Sequence, residues 1–83
     1  MSPMDQIIQK LYKERWSGSL ADAPIEEQRK QLQETLQKAL DGYWSGHTAY
    51  FIAVDGGFLL DIKPNKLTYL GKMFMKQMDK GEL

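Results

Sequence analysis

One histidine, no cysteine and a scatter of serines and carboxylates are all that this 83-residue sequence offers to reaction chemistry. His47 as a metal ligand or general base needs a partner, and its neighbours along the chain are Asp41, Asp55 and the hydroxyls of Ser45 and Thr48. No second histidine at helical spacing, no cysteine pair and no carboxylate cluster with ligand spacing accompanies it. A turn histidine bonded to local backbone is therefore expected. Ser17, Ser19 and Ser45 lack the strand-to-elbow glycine context of a serine hydrolase. Asp55-Gly56-Gly57 fits neither a phosphate-binding Gly-x-x-x-x-Gly-Lys loop nor an Asp-x-Asp-x-Asp-Gly calcium loop. Asp55 and Asp61 are separated by the expected hairpin register, one at its tip and one down a strand. The sequence reads as no enzyme, with no cofactor and no metal site.

Two sets of residues suit binding instead. Lys63, Lys66, Lys72, Lys76 and Lys80 gather in the last third of the chain, with Tyr69 among them. Several cations on one surface with an interleaved aromatic can hold phosphates and stack on a base. The other set is Tyr43, Trp44, Tyr69 and Met75: tryptophan and tyrosine anchor protein interfaces, and methionine adapts to irregular ones. The competing expectation is that aromatics and methionines such as Met73 and Met78 simply fill a small core.

The elements that must carry these residues read as three helices and a hairpin. Ser2-Pro3-Met4-Asp5 joins a cap residue, proline at the first helical position and a carboxylate three residues after the cap. Apolar residues then recur at Met4, Ile7, Ile8, Leu11, Tyr12 and Trp16, which predicts a helix over about 3–16 ended by Ser17-Gly18. Pro24, Glu26 and Glu27 open a second helix over about 24–42, with Ile25, Leu32, Leu36, Ala39, Leu40 and Tyr43 as its stripe. Arg29 interrupts that stripe, and the stretch from Glu26 to Gln31 has no apolar residue. Its first turns are expected in solvent or against a partner.

Beyond the aromatic turn Gly42 to His47 the period changes. Thr48 to Val54 and Phe58 to Ile62 are β-rich runs around Asp55-Gly56-Gly57, which predicts a hairpin over about 48–62. A three-residue turn with Gly57 left-handed gathers Tyr50, Ile52, Val54, Phe58, Leu60 and Ile62 on one face. Pro64 ends the hairpin, and Asn65 or Thr68 caps a last helix over about 66–80. Leu67, Leu70, Met73, Phe74 and Met78 line one side of it, and Lys72, Lys76 and Lys80 the other. Gly71 inside this helix costs about 1 kcal/mol relative to alanine, which points to a close backbone approach against Trp44 or the hairpin. Lys66-Leu67-Thr68-Tyr69-Leu70-Gly71 resembles, over about ten residues, the Leu-Thr-x-x-Gly entry to the last helix of many winged-helix DNA-binding proteins. The resemblance implies a wing whose tip is Asp55 to Gly57. That tip carries no Lys or Arg, and the second helix is long and polar for a compact helix-turn-helix.

The expected fold is a small single α+β domain of order α-α-β-β-α, three helices on one face of a two-stranded antiparallel hairpin. The chain has 42% hydrophobic and 27% charged residues and zero formal charge. Six Lys or Arg stand against nine Asp or Glu up to Ile62, and five Lys against two acids from Lys63 onward. No basic region followed by an apolar stretch opens the sequence, and with no cysteine the reading is cytoplasmic. A small protein-interaction module follows, accessory, regulatory or inhibitory, of a kind common in phage and mobile elements, its partner another protein. The alternative is a nucleic-acid-binding protein using the C-terminal lysines in a winged-helix-like manner. The second alternative is a structural homo-oligomer paired through hairpin edges.

Overall fold

The computed structural model describes residues 2–80, without the side chain of residue 80. Among these the order is α1 (Pro3–Arg15), a 3-10 turn (Ser19–Asp22), α2 (Ile25–Leu40), α3 (His47–Asp55), β1 (Leu59–Leu60), β2 (Lys66–Leu67) and α4 (Tyr69–Lys80). The fold is α+β, with four helices and one two-stranded antiparallel hairpin in the order α-α-α-β-β-α.

α1 starts as its sequence dictates: Pro3 takes the first position and Ser2 Oγ accepts the Asp5 N–H at 3.1 Å. The Asp5 carboxylate does not turn back to the cap. It reaches across to α2, where the Arg29 guanidinium grips it through Nε, at 2.9 Å, and Nη2. Both groups are buried. The polar first turns of α2, expected in solvent or against a partner, are divided: Glu26, Glu27 and Lys30 are exposed, but Gln28 and Arg29 face the interior, Arg29 neutralised by Asp5 and Gln28 Nε2 donating to the Leu20 carbonyl at 3.0 Å. Buried polar groups are tolerated where they are paired. The hydrogen bond to Asp5 raises the already high pKa of Arg29, so this pair keeps its cation.

The hairpin expected over 48–62 is not there. Residues 47–55 form α3, and Asp55-Gly56-Gly57 closes that helix, Gly57 taking φ 83 and Phe58 N–H returning to the Ala53 carbonyl at 2.9 Å. Ala49, Tyr50, Ile52 and Ala53 are buried and Phe51 and Val54 half-buried. A short helix wrapped by protein needs apolar residues nearly all round, so it shows no helical period in sequence.

The true hairpin follows it. Leu59 pairs with Leu67 and Leu60 with Lys66 around a turn over 61–65 that contains a cis Lys63–Pro64 peptide bond. With two residues in each strand it presents no face that could seat three helices. The helices instead enclose the core themselves: Ile8, Tyr12, Leu32, Leu36, Ile52, Phe58, Leu59 and Phe74 are fully or almost fully buried. Such short strands also leave little edge for pairing between copies.

The register reverses the expected faces. Leu59 is 2% exposed and Leu60 43%. Leu59→Asp should abolish the cooperative thermal transition, because burying an unpaired carboxylate costs several kcal/mol of a margin of about 4–12. Leu60→Asp should melt close to wild type. Circular-dichroism melts that rank the two variants the other way would show the strand register to be wrong.

Thr68 fastens α4 to the hairpin. Its hydroxyl accepts the Gly71 N–H at 3.0 Å and donates to the Gly57 carbonyl, while its own N–H donates to the Phe58 carbonyl at 3.1 Å. Thr68, not Asn65, is the cap. Asn65 is used within the turn, its Nδ2 donating to Tyr50 Oη and the Leu60 carbonyl, both at 3.0 Å. Gly71 is buried against the hairpin, as its cost to the helix implied. The buried side of α4 therefore runs through Gly71, Phe74, Met75 and Met78, a helical stripe. That rotation half-buries Met75 against the core and leaves Met73 exposed, the reverse of the expected arrangement.

Two buried phenols carry a pH signature. Burial lifts the Tyr12 pKa well above the ordinary phenol range, while a hydrogen bond to Asp61, aided by burial, raises that of Tyr50. A raised folded pKa means that the native state holds its proton longer than the unfolded chain. Their contribution is complete below about pH 10, the unfolded phenol value, and is lost as pH rises through the folded values. Urea midpoints should fall as pH rises above about 10, less steeply in Tyr12→Phe. Parallel curves for variant and wild type would remove Tyr12 from the account.

Candidate functional site

The loop from Asp41 to Gly46 joins α2 to α3, and two of its glycines have left-handed backbone: Gly42 at φ 86 and Gly46 at φ 100. α2 ends at Leu40 and Gly42 turns the chain just before Tyr43, which removes Tyr43 from the apolar stripe and sends it outward. Tyr43 is 72% exposed and Trp44 61%. The Trp44 ring leans on Tyr50 of α3, with centroids 5.1 Å apart. On the other side the turn between the strands brings Lys63 Nζ to 5.4 Å from the Tyr50 ring centroid.

Between loop and turn lies a groove of about 180 Å³ whose walls include Leu40, Tyr43, Trp44, Tyr50, Lys63 and Pro64. Tyr50 is its fixed element. The phenol donates to Asp61 and accepts from Asn65, so the ring that supports Trp44 is tied to the hairpin from both sides. Two of the four aromatic and methionine candidates, Tyr43 and Trp44, meet here. Tyr69 stands at the first turn of α4, 80% exposed, and Met75 packs on the core; neither lines the groove. Lys63, from the lysine set, does.

Sequence reasoning missed Tyr50 and Pro64 as members of this site. In sequence Tyr50 reads as a strand residue, and nothing in the spacing joins residue 44 to residues 63–65. Lys66, Lys72 and Lys76 are exposed, Lys66 on β2 and the others on α4; the Lys80 side chain lies outside the described residues.

A second hollow, of about 340 Å³, is lined by Arg15, His47, Thr48 and Phe51. His47 rests on Phe51 with ring centroids 4.7 Å apart. The carboxylates that could have oriented it are engaged elsewhere, Asp55 by Arg15 and Asp41 by Gln37. Among the described residues no group of three or more histidine, cysteine, aspartate or glutamate side chains is placed to hold a metal ion. Purified protein should carry no stoichiometric zinc, and His47→Ala should leave its melting point near wild type. Bound zinc lost in that variant would reverse this reading of His47.

Among the described residues no helix is long and apolar enough to cross a membrane. No protein-family model matches the chain, and neither a curated protein nor a solved structure matches it.

Proposed function

We propose that this chain is a small cytoplasmic interaction module that binds a partner protein through the groove between the α2–α3 loop and the hairpin turn, without catalysis. The observation that carries the reading is the pair Tyr43 and Trp44: two large aromatics held largely in solvent beside a third, Tyr50, that is pinned in place. Exposed aromatics next to a concave, rigid support are what interface anchors look like before a partner covers them. An accessory or inhibitory role fits a chain whose features all concern binding.

Nucleic-acid binding is the second reading, and one observation favours it. The hairpin is 59–67, so its turn carries Lys63 and its second strand Lys66, and Leu67-Thr68-x-x-Gly71 enters the last helix directly behind it. The acidic segment 55–57 is not the tip. Electrostatics decide against this reading as the first choice. The chain as a whole is neutral, and the stretch 41–67 that stands before the lysine-bearing last helix holds Asp41, Asp55 and Asp61 against Lys63 and Lys66. Affinity for a duplex comes largely from neutralising phosphates, and this stretch is net acidic.

The test is co-purification with tagged wild type, Trp44→Ala, and the triple variant Lys72→Gln, Lys76→Gln, Lys80→Gln. A partner protein retained by the triple variant and lost with Trp44→Ala is the expected result, since truncating a hot-spot aromatic costs about 2 kcal/mol or more. Salt-sensitive DNA or RNA binding abolished by the lysine changes would overturn it.

A further inference from the structure

We infer that the occupant of the groove is an extended, proline-containing peptide segment with an acidic residue that meets Lys63. This rests on the reading of the groove as the partner site and names the kind of segment it takes. Three features select it. The walls include the exposed aromatic side chains Tyr43 and Trp44, the buried Tyr50 that supports them, and Pro64. Proline-rich segments dock in such aromatic grooves because their extended helix is already formed and little ordering entropy is lost. Donors stand ready as well: the Trp44 indole N–H has no hydrogen-bond partner among the described residues. A polyproline-type backbone has carbonyls with no internal bonds, so it supplies the matching acceptors.

Charge then sets polarity. Lys63 has no carboxylate within ion-pair distance among the described residues, although Asp61 lies close by in sequence and is bonded to Tyr50. An unpaired cation beside aromatic rings attracts an acidic ligand residue and repels cationic ones. Other occupants fit less well. A peptide that adds a strand needs a sheet edge longer than the two residues of β1 or β2. Single-stranded nucleic acid could stack on Trp44, but only one cation lines the groove.

The experiment is a titration of the full chain followed by the Trp44 indole N–H signal in proton–nitrogen spectra. The probes are acetyl-Pro-Pro-Leu-Pro-Glu-Pro-Pro-amide, the same peptide with lysine in place of glutamate, and a short oligothymidylate. Saturable binding of the acidic peptide is expected with Kd below about 1 mM. It should weaken about tenfold in Trp44→Ala and at least about threefold in Tyr43→Ala. The second variant changes a side chain that is mostly in solvent, so it guards against loss of fold in the first. The lysine peptide should bind about fivefold more weakly, and Lys63→Gln should erase that difference. No saturation, equal affinity for both peptides in wild type, or tighter binding of oligothymidylate would each overturn the inference. If a co-purified partner still depends on Trp44 after such a failure, the groove stands and only its occupant is wrong. If nothing depends on Trp44, both readings fall.

Discussion

Gly71→Ala should cost the protein about 3 kcal/mol or more, although alanine is about 1 kcal/mol better than glycine inside a helix. A Cβ built on Gly71 would sit 2.0 Å from the Phe58 carbonyl oxygen and 3.0 Å from its carbon. The obstacle is backbone, and it is held in place: Thr68 N–H donates to that same oxygen at 3.1 Å. No flexible side chain can move aside, so α4 must lift from the hairpin or the hairpin must break. For a domain of this size about 4–8 °C of melting temperature accompanies each kcal/mol. The variant should therefore melt about 12–24 °C below wild type. A melt within about 4 °C of wild type would show that the helix and hairpin do not approach this closely.

Arg29→Met should be comparably damaging for an electrostatic reason. The change removes the cation and leaves the buried Asp5 carboxylate without its partner. Breaking a buried pair from one side costs about 3–5 kcal/mol, whereas replacing both members by apolar residues is often neutral. The double variant Asp5→Leu, Arg29→Met should therefore recover most of the urea midpoint that the single variant loses. Asp5 lies in the first turn of α1 and Arg29 in the second turn of α2, with the whole connector between them. A single variant with a wild-type midpoint would place the pair in solvent; a double variant no better than the single would show that Arg29 matters by packing alone.

How far the sequence revealed these features depended on whether their causes were local. The start of α1 was fully legible, because a serine cap followed by proline works within a few residues. Gly71 was legible as an anomaly: a helix interior with no use for glycine implies something packed against it, and the hairpin backbone is what packs there. α3 was not legible. Val54, Ile52 and the aromatics favour strands, Asp55-Gly56-Gly57 favours a hairpin turn, and burial on nearly all sides erased the period that would have said helix. In sequence Arg29 is a break in a stripe and Asp5 a capping carboxylate. Only the packing of α1 on α2 makes them partners. The groove was half legible. Tyr43 and Trp44 stood out by type and position, but their support by Tyr50 and Lys63 depends on α3 and on a hairpin the sequence placed elsewhere.

The hydrogen bonds by which Thr68 holds Gly57, Phe58 and Gly71 govern how the molecule opens. They tie the end of α3, the hairpin and the start of α4 to one residue, so none of these can loosen while the others keep their bonds. Amide exchange should then protect Phe58, Thr68 and Gly71 to a common degree, as members of one cooperative unit. The 3-10 turn over Ser19–Asp22, held from the side by Gln28, belongs to no such knot and can exchange through smaller, independent fluctuations. The groove straddles these regimes. Its floor, Tyr50, is bonded to the turn of the cooperative half, while Tyr43 and Trp44 ride on a loop between two left-handed glycines. A binding surface built this way has a fixed anvil and two adjustable hammers, which lets it fit a ligand without disturbing the rest of the chain.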